Sequence, residues 1–161
     1  MAKNRGLLIV FEGIDNSGKT TQCDLLCEHF ENKNQSYFQT QFPRRSSQTG
    51  QIIDSYLRSK SQISDQAVHL LFSANRWEDF DMIKSLLENG CNVVVDRYAY
   101  SGIAYSVAKG LDKTWCLSSD EGLLQPDIVF FLHLPDVEHA HMRENQKLER
   151  YENVEFQKKV S

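Results

Sequence analysis

Hydrophobic positions along the chain form alternating runs and stripes. Leu7, Leu8, Ile9, Val10 and Phe11 make an uninterrupted apolar run, the pattern of a strand covered on both faces of a parallel sheet. Past a polar stretch, Cys23, Leu26, Cys27 and Phe30 recur at offsets of three, four and seven, which predicts an amphipathic helix from Lys19 to about Glu31. Residues 36–42 alternate loosely and predict a strand that stops at Pro43. Ile52, Ile53, Tyr56 and Leu57 predict a short helix over 49–59. Ser64 is the expected N-cap of a longer helix running to Asn89 and Gly90, with Ala67, Leu70, Leu71 and Ala74 as its apolar face. Residues 92–95 read as a third strand, Ile103, Ala104 and Val107 as helix up to Gly110, and 127–134 as a fourth buried strand; Trp115 and Cys116 lie in a connector without period. Strands alternating with helices predict one α/β domain, residues 1–161, around a parallel sheet.

Composition narrows the partners rather than the fold. A net charge of -4 argues against a nucleic-acid polymer, whose backbone calls for a basic surface, while a small phosphorylated ligand needs only a local basic pocket. No run has the length of a membrane span and MAKNRG lacks the apolar core of a signal peptide, so the expected setting is intracellular, cytoplasmic or nuclear. Cys23, Cys27, Cys91 and Cys116 form no CxxC pair and are expected as thiols, and the sequon at Asn34 has no role without secretion. His133 is expected to be satisfied within the sheet, and His139 and His141 to lie on the surface.

Chemistry enters with Gly13 to Thr20, GIDNSGKT, placed between the first strand and the first helix. Glycines at both ends of that spacing let successive N–H groups converge on an anion at a helix N-terminus; Lys19 then reaches the terminal phosphates and the Thr20 hydroxyl is placed for Mg2+. Three further features have two readings each. Arg44 and Arg45 at the end of the second strand either clamp a phosphate or are solvated. Phe72 and Arg76, one turn apart opposite the predicted apolar stripe and near Asp65 and His69, either take a planar base or pack under a loop. Residues 143–150 either form a lid carrying Arg143, Lys147 and Arg150 or a solvated helix end. Asp96 and Arg97 close the third strand, where such folds handle Mg2+ or a phosphate; the other reading is a surface ion pair.

The segments FEGIDNSGKTTQ, FPRRSSQTGQIIDSYL, HLLFSANRWE, DRYAYSGIAYS, PDIVFFLHL and RYENVEFQ, spread over nearly the whole chain, resemble thymidylate kinases of the eukaryotic and viral type. That resemblance implies a three-layer P-loop NTPase-like fold, a homodimer, and Mg2+-dependent transfer of the ATP γ-phosphoryl group to dTMP. It implies an ATP site of Gly13, Asn16, Ser17, Gly18, Lys19, Thr20 and Thr21. Phe72 is implied to stack on thymine and Arg76 to read its carbonyl, with Arg45 and Arg97 on the dTMP phosphate, Asp15 on the sugar 3'-hydroxyl, Tyr105 crowding the 2' position, and Phe42, Gly102, Tyr151 and Gln157 bordering the pocket. Asp96 and Thr20 are implied to organise Mg2+, with Lys19, Asp96 and Arg97 at the transfer itself.

Two departures accompany the likeness. Asn16 stands where eukaryotic members carry a basic residue, so Arg143, with Lys147, is expected to supply that charge from a lid around 136–150. The family also continues past the RYEN helix into a last strand and an adenine-contacting loop, so this chain is expected to lack part of the usual domain, with weakened ATP affinity. A kinase of the same fold with another deoxynucleoside or nucleotide acceptor, or a nucleotide-binding form without catalysis, are the competing expectations.

Overall fold

Residues 4–134 and 149–160 are described in the computed structural model. Four parallel strands, β1 (Leu8–Gly13), β2 (Tyr37–Gln41), β3 (Asn92–Asp96) and β4 (Ile128–Leu132), make one sheet in the order β2-β3-β1-β4. Helices α1 (Lys19–Asn32), α2 (Gln48–Leu57), α3 (Asp65–Glu78), α4 (Phe80–Glu88), α5 (Ala99–Ala108), α6 (Lys113–Ser118) and α7 (Val154–Val160) connect and flank the strands. Among the described residues no helix is long and apolar enough to cross a membrane.

The two central strands read as unbroken apolar runs because both of their faces are covered. Leu8 and Val10, with Val93 and Val95, pack under Ile83 and Leu87 of α4 together with Phe42 and Tyr98. The alternate residues Ile9, Phe11 and Val94 pack on Cys23, Cys27 and Phe30 of α1. A third cluster joins α2 to α3 through Ile53, Tyr56, Leu57 and Val68, and Tyr151 closes it. All four cysteines are buried free thiols, and burial pushes the Cys23 thiol up to about 12.

Several expectations need correction. The predicted long helix is two helices, because Asp79 leaves helical geometry (φ -99°, ψ 0°) and its buried carboxylate is held by Arg44 at 2.6 Å. The break lets α3 pack on α2 and α5 while α4 lays Ile83 and Leu87 on the sheet. The apolar face assigned to α3 is also wrong in part: Leu70 is 48% exposed, whereas His69, Ser73, Asn75 and Arg76 are buried beside Val68. Strand β4 is no buried strand among the described residues. It pairs with β1 alone, at the sheet edge, and Phe131 is 65% exposed, although Phe130 stacks on Phe11 at 5.0 Å. His133 lies beyond β4 and is exposed, not satisfied within the sheet. The connector at Trp115 forms α6, whose N-terminus is capped by Asp112 accepting from the Trp115 N–H at 2.8 Å.

Candidate active site

The loop between β1 and α1 is built by its backbone. Gly13 has φ 147°, and a Cβ there would lie 2.5 Å from the Leu132 carbonyl oxygen and 2.9 Å from Ser17 Oγ. Gly18 caps α1 in the left-handed region at φ 90°, and Asn16, a residue type that tolerates that region, sits at φ 58°. Lys19 lies under the loop, donating to the Ile14 carbonyl at 2.6 Å and to Ser17 Oγ at 3.3 Å. Burial first, and then the charge of Arg97, lowers its pKa to about 8. Next in sequence, the Thr20 hydroxyl donates to Asp96 Oδ2 at 2.6 Å, bringing together the ends of α1 and β3. Hydroxyl and carboxylate oxygens are the donors a hard divalent cation takes. No cluster of three or more His, Cys, Asp or Glu that could hold a metal exists among the described residues.

Asp15 and Arg97 join this loop to a second cavity. Arg97 adopts φ 66° and donates through Nη1 to the Gly13 carbonyl at 2.8 Å and to Ser101 Oγ at 3.0 Å, and through Nη2 to Asp15 Oδ1 at 2.5 Å. Behind it, the buried Glu12 carboxylate accepts from the Tyr98 N–H at 2.9 Å, the Ser101 N–H at 3.2 Å and the Ser101 hydroxyl, fixing the start of α5. Asp15 Oδ2 accepts from Gln157 Nε2 at 2.5 Å and from the Tyr105 hydroxyl at 3.1 Å. Burial pushes the Tyr105 phenol up to about 12, so it remains a donor. Gln157 is itself fully buried and donates to the Tyr151 carbonyl at 2.9 Å.

A cleft opens from this network. Asp15 and Arg97 lie on its wall with Arg45 and Phe42 from the loop after β2, Phe72 and Arg76 from α3, and Gly102 and Tyr105 from α5. The loop after β2 is fastened to α3 by Asn75, which accepts from the Arg44 N–H at 2.7 Å and donates to Ser47 Oγ at 2.8 Å and Thr49 Oγ1 at 3.0 Å. Arg45 donates to Asp54 at 2.7 Å and to both oxygens of Glu149 at 2.6 and 2.8 Å.

Of the residues assigned from the sequence to the acceptor pocket, all but Gln157 line this cleft, and Gln157 stands behind Asp15 and Tyr105. The phosphate-loop set meets at the start of α1, where Thr21 is exposed in the first turn. Arg44 does not share the clamp position of Arg45; it pairs with Asp79. Arg150 is half-buried and does not lie over the loop: it sits 4.1 Å over the Tyr56 ring and donates to the carbonyls of Tyr56 and Ser61, tying the segment before α7 to the end of α2. Arg143, Lys147, His139 and His141 lie outside the described residues. Sequence reasoning missed Glu149, Glu152, Ser101 and Leu57 on the cleft wall and Glu12, Asn75 and Asp120 behind it. Only Glu12 carried a signal, a carboxylate inside an apolar strand one residue before the loop.

Comparison with known proteins gives one answer. Residues 11–161 match the family model described as thymidylate kinase. A thymidylate kinase of Plasmodium falciparum is 51% identical over 159 residues, 98% of this chain and 75% of that protein. A putative thymidylate kinase of Invertebrate iridescent virus 6 is 49% identical over 160 residues, 99% of this chain and 75% of that one. The solved thymidylate kinase of Candida albicans superposes with a TM-score of 0.86 at 43% identity, covering 97% of this chain and 75% of that one. The chain thus spans about three quarters of the length of these relatives.

Proposed function

The chain belongs to the thymidylate kinase family, and we propose that its glycine loop and adjoining cleft are the ATP and dTMP sites of one phosphotransferase centre. The activity is transfer of the γ-phosphoryl group of ATP to dTMP, giving dTDP. The observation that carries the site assignment is the Asp15–Arg97 pair: an acidic residue of the phosphate loop and the arginine at the end of β3 meet on the cleft wall, so donor and acceptor sites share a boundary.

The chain's own residues then divide the work. Loop N–H groups and the N-terminus of α1 hold the donor phosphates, and Lys19 leaves its bond to the Ile14 carbonyl to meet them. Arg97 and Arg45 hold the acceptor phosphate in line with the donor, and Asp15, fixed by Gln157 and Tyr105, accepts from the sugar hydroxyl. Phe72 and Arg76 face the base. Thr20 and Asp96 are the residues that would hold Mg2+, which when bound neutralises charge on the phosphates. Positioning and charge neutralisation are most of what phosphoryl transfer asks of a protein.

A homodimer belongs to the same proposal. Ile52 on α2 and Leu70 on α3, 47% and 48% exposed on helices packed together, support a contact between copies there. Light scattering of the purified chain at about twice the monomer mass is the expected result, and Leu70→Glu is expected to halve it.

Coupled ADP release tests the activity. With ATP and Mg2+, turnover is expected with dTMP and far less with dCMP or thymidine; turnover with either of those exceeding that with dTMP overturns the acceptor assignment. Asp15→Asn is expected to lower kcat/KM for dTMP by about 10²-fold with ATP binding retained.

A further inference from the structure

We propose that Asp120 is a specificity-determining residue of this kinase, acting by positioning Arg76 so that one edge of its guanidinium faces the acceptor base. The inference rests on the reading of the cleft as the dTMP site and adds a residue outside its lining to that site's machinery.

Arg76 and Asp120 form a side-on pair in which Nε donates to Oδ1 at 3.2 Å and Nη2 to Oδ2 at 2.6 Å, with both side chains under 5% exposed (2% and 4%). A bidentate carboxylate fixes the plane of the guanidinium as well as its place. The opposite side is fixed by Gly102: a Cβ there would lie 2.7 Å from Nη1 and 2.9 Å from Nη2, so the group rests directly against the α5 backbone. Nη1 is left without an acceptor among the described residues, and Arg76 lines the cleft. The segment leading into Asp120 is held in turn by α3. Ser73 donates to the Ser119 carbonyl at 2.8 Å, Trp77 Nε1 donates to the same carbonyl at 3.0 Å, and His69 Nε2 lies 3.1 Å from the Cys116 carbonyl.

An arginine edge offers donors only. Held in one orientation it accepts a base whose 4-position carries a carbonyl, as in thymine and uracil, and meets the 4-amino group of cytosine with donor against donor. Selectivity of that kind depends on the donor having no alternative position, because a guanidinium free to swing would leave the amino group unopposed.

Steady-state kinetics of Asp120→Asn, Asp120→Glu and Arg76→Met test this, each with dTMP, dCMP and ATP as the varied substrate. Asp120→Asn is expected to lower kcat/KM for dTMP by about 10- to 100-fold, mostly through KM, while dCMP changes by less than about threefold and the ATP KM holds. Asp120→Glu keeps the buried charge paired and so keeps the fold if the amide does not; its longer side chain displaces the guanidinium, and it is expected to lower the dTMP-to-dCMP ratio by about tenfold. Equal losses for both acceptors, or a ratio unchanged in both variants while Arg76→Met destroys it, overturn the role of Asp120. An Arg76→Met protein with wild-type dTMP kinetics overturns the base-reading premise, and the inference with it.

Discussion

Glu149 grips Arg45 through both carboxylate oxygens, Nη1 to Oε1 at 2.6 Å and Nη2 to Oε2 at 2.8 Å, on the wall of the cleft where the acceptor phosphate is proposed to bind. A carboxylate thus holds the position a phosphate would take on the same guanidinium fork. The acceptor must displace it or bind beside a like charge. Glu149→Gln is therefore expected to tighten dTMP binding by about three- to tenfold, read by calorimetry; Arg45 stays oriented by Asp54 at 2.7 Å. Weaker binding in this variant would show that Glu149 orients Arg45 rather than competing for it.

Lys19 gives a pH signature to the donor site. Burial and the charge of Arg97 bring it to about 8, so above that value the ligand-free lysine is largely neutral, and a polyphosphate beside it restores the proton. ATP binding is expected to take up close to one proton at about pH 9 and almost none at about pH 7. Calorimetry in two buffers of different ionisation enthalpy reads this directly, and no buffer dependence at the higher pH counts against it. For stability the sign is opposite to that of a salt-bridged lysine: the folded pKa lies below the unfolded 10.5, so stability rises with pH between about 8 and 10.5.

Asn75 ties the loop after β2 to α3 at both ends of its amide, and no part of it reaches solvent. Asn75→Ala leaves the Arg44 N–H and the Ser47 and Thr49 hydroxyls without that partner. It is expected to destabilise by about 2–3 kcal/mol in urea unfolding and to raise KM for dTMP more than for ATP. A KM effect shared equally by both substrates would argue against loop positioning.

His69 is expected to weaken the fold in acid. Burial lowers its pKa below the usual 6.5, and its ring nitrogens face Ser106 Oγ at 2.8 Å and the Cys116 carbonyl at 3.1 Å. The unfolded chain therefore takes up the proton first, and stability falls as pH drops through about 6.5, by at most about 1.4 kcal/mol per pH unit for one group. Urea midpoints at about pH 7 and pH 5.5 should separate more for the wild type than for His69→Gln.

Asn16, neutral and in the left-handed region, leaves a role for basic residues elsewhere. Arg143→Ala, alone or with Lys147→Ala, is expected to lower kcat by about 10²-fold with dTMP KM unchanged. Turnover near wild type in both variants removes these residues from the transfer.

Much of this was legible in the sequence because it is local. The loop from Gly13 to Thr20 needs only its spacing, its strand and its helix, and Phe72 and Arg76 share a face through helix geometry alone. The apolar runs of β1 and β3 were legible for the same reason, each residue finding cover on one face or the other. The identical signal misled at β4, since an apolar run records what a strand would bury and not whether anything lies over it. It misled again along the long helical stretch, where the inward face of α3 is polar and the chain turns at Asp79, whose buried carboxylate pairs with a partly exposed Arg44.

By itself, then, the sequence determined the α/β alternation, the phosphate loop and the helix face that carries Phe72 and Arg76, all set by spacings of a few residues. Tertiary structure decided the partners: Asp120 for Arg76 at a separation of 44, Glu149 for Arg45 at 104 and Gln157 for Asp15 at 142. Such pairs have no period to detect. They exist because the order β2-β3-β1-β4 brings the ends of β1 and β3 together and the packing of α2, α3 and α5 folds distant polar groups into one cleft, where each buried donor or acceptor takes what lies within hydrogen-bond reach.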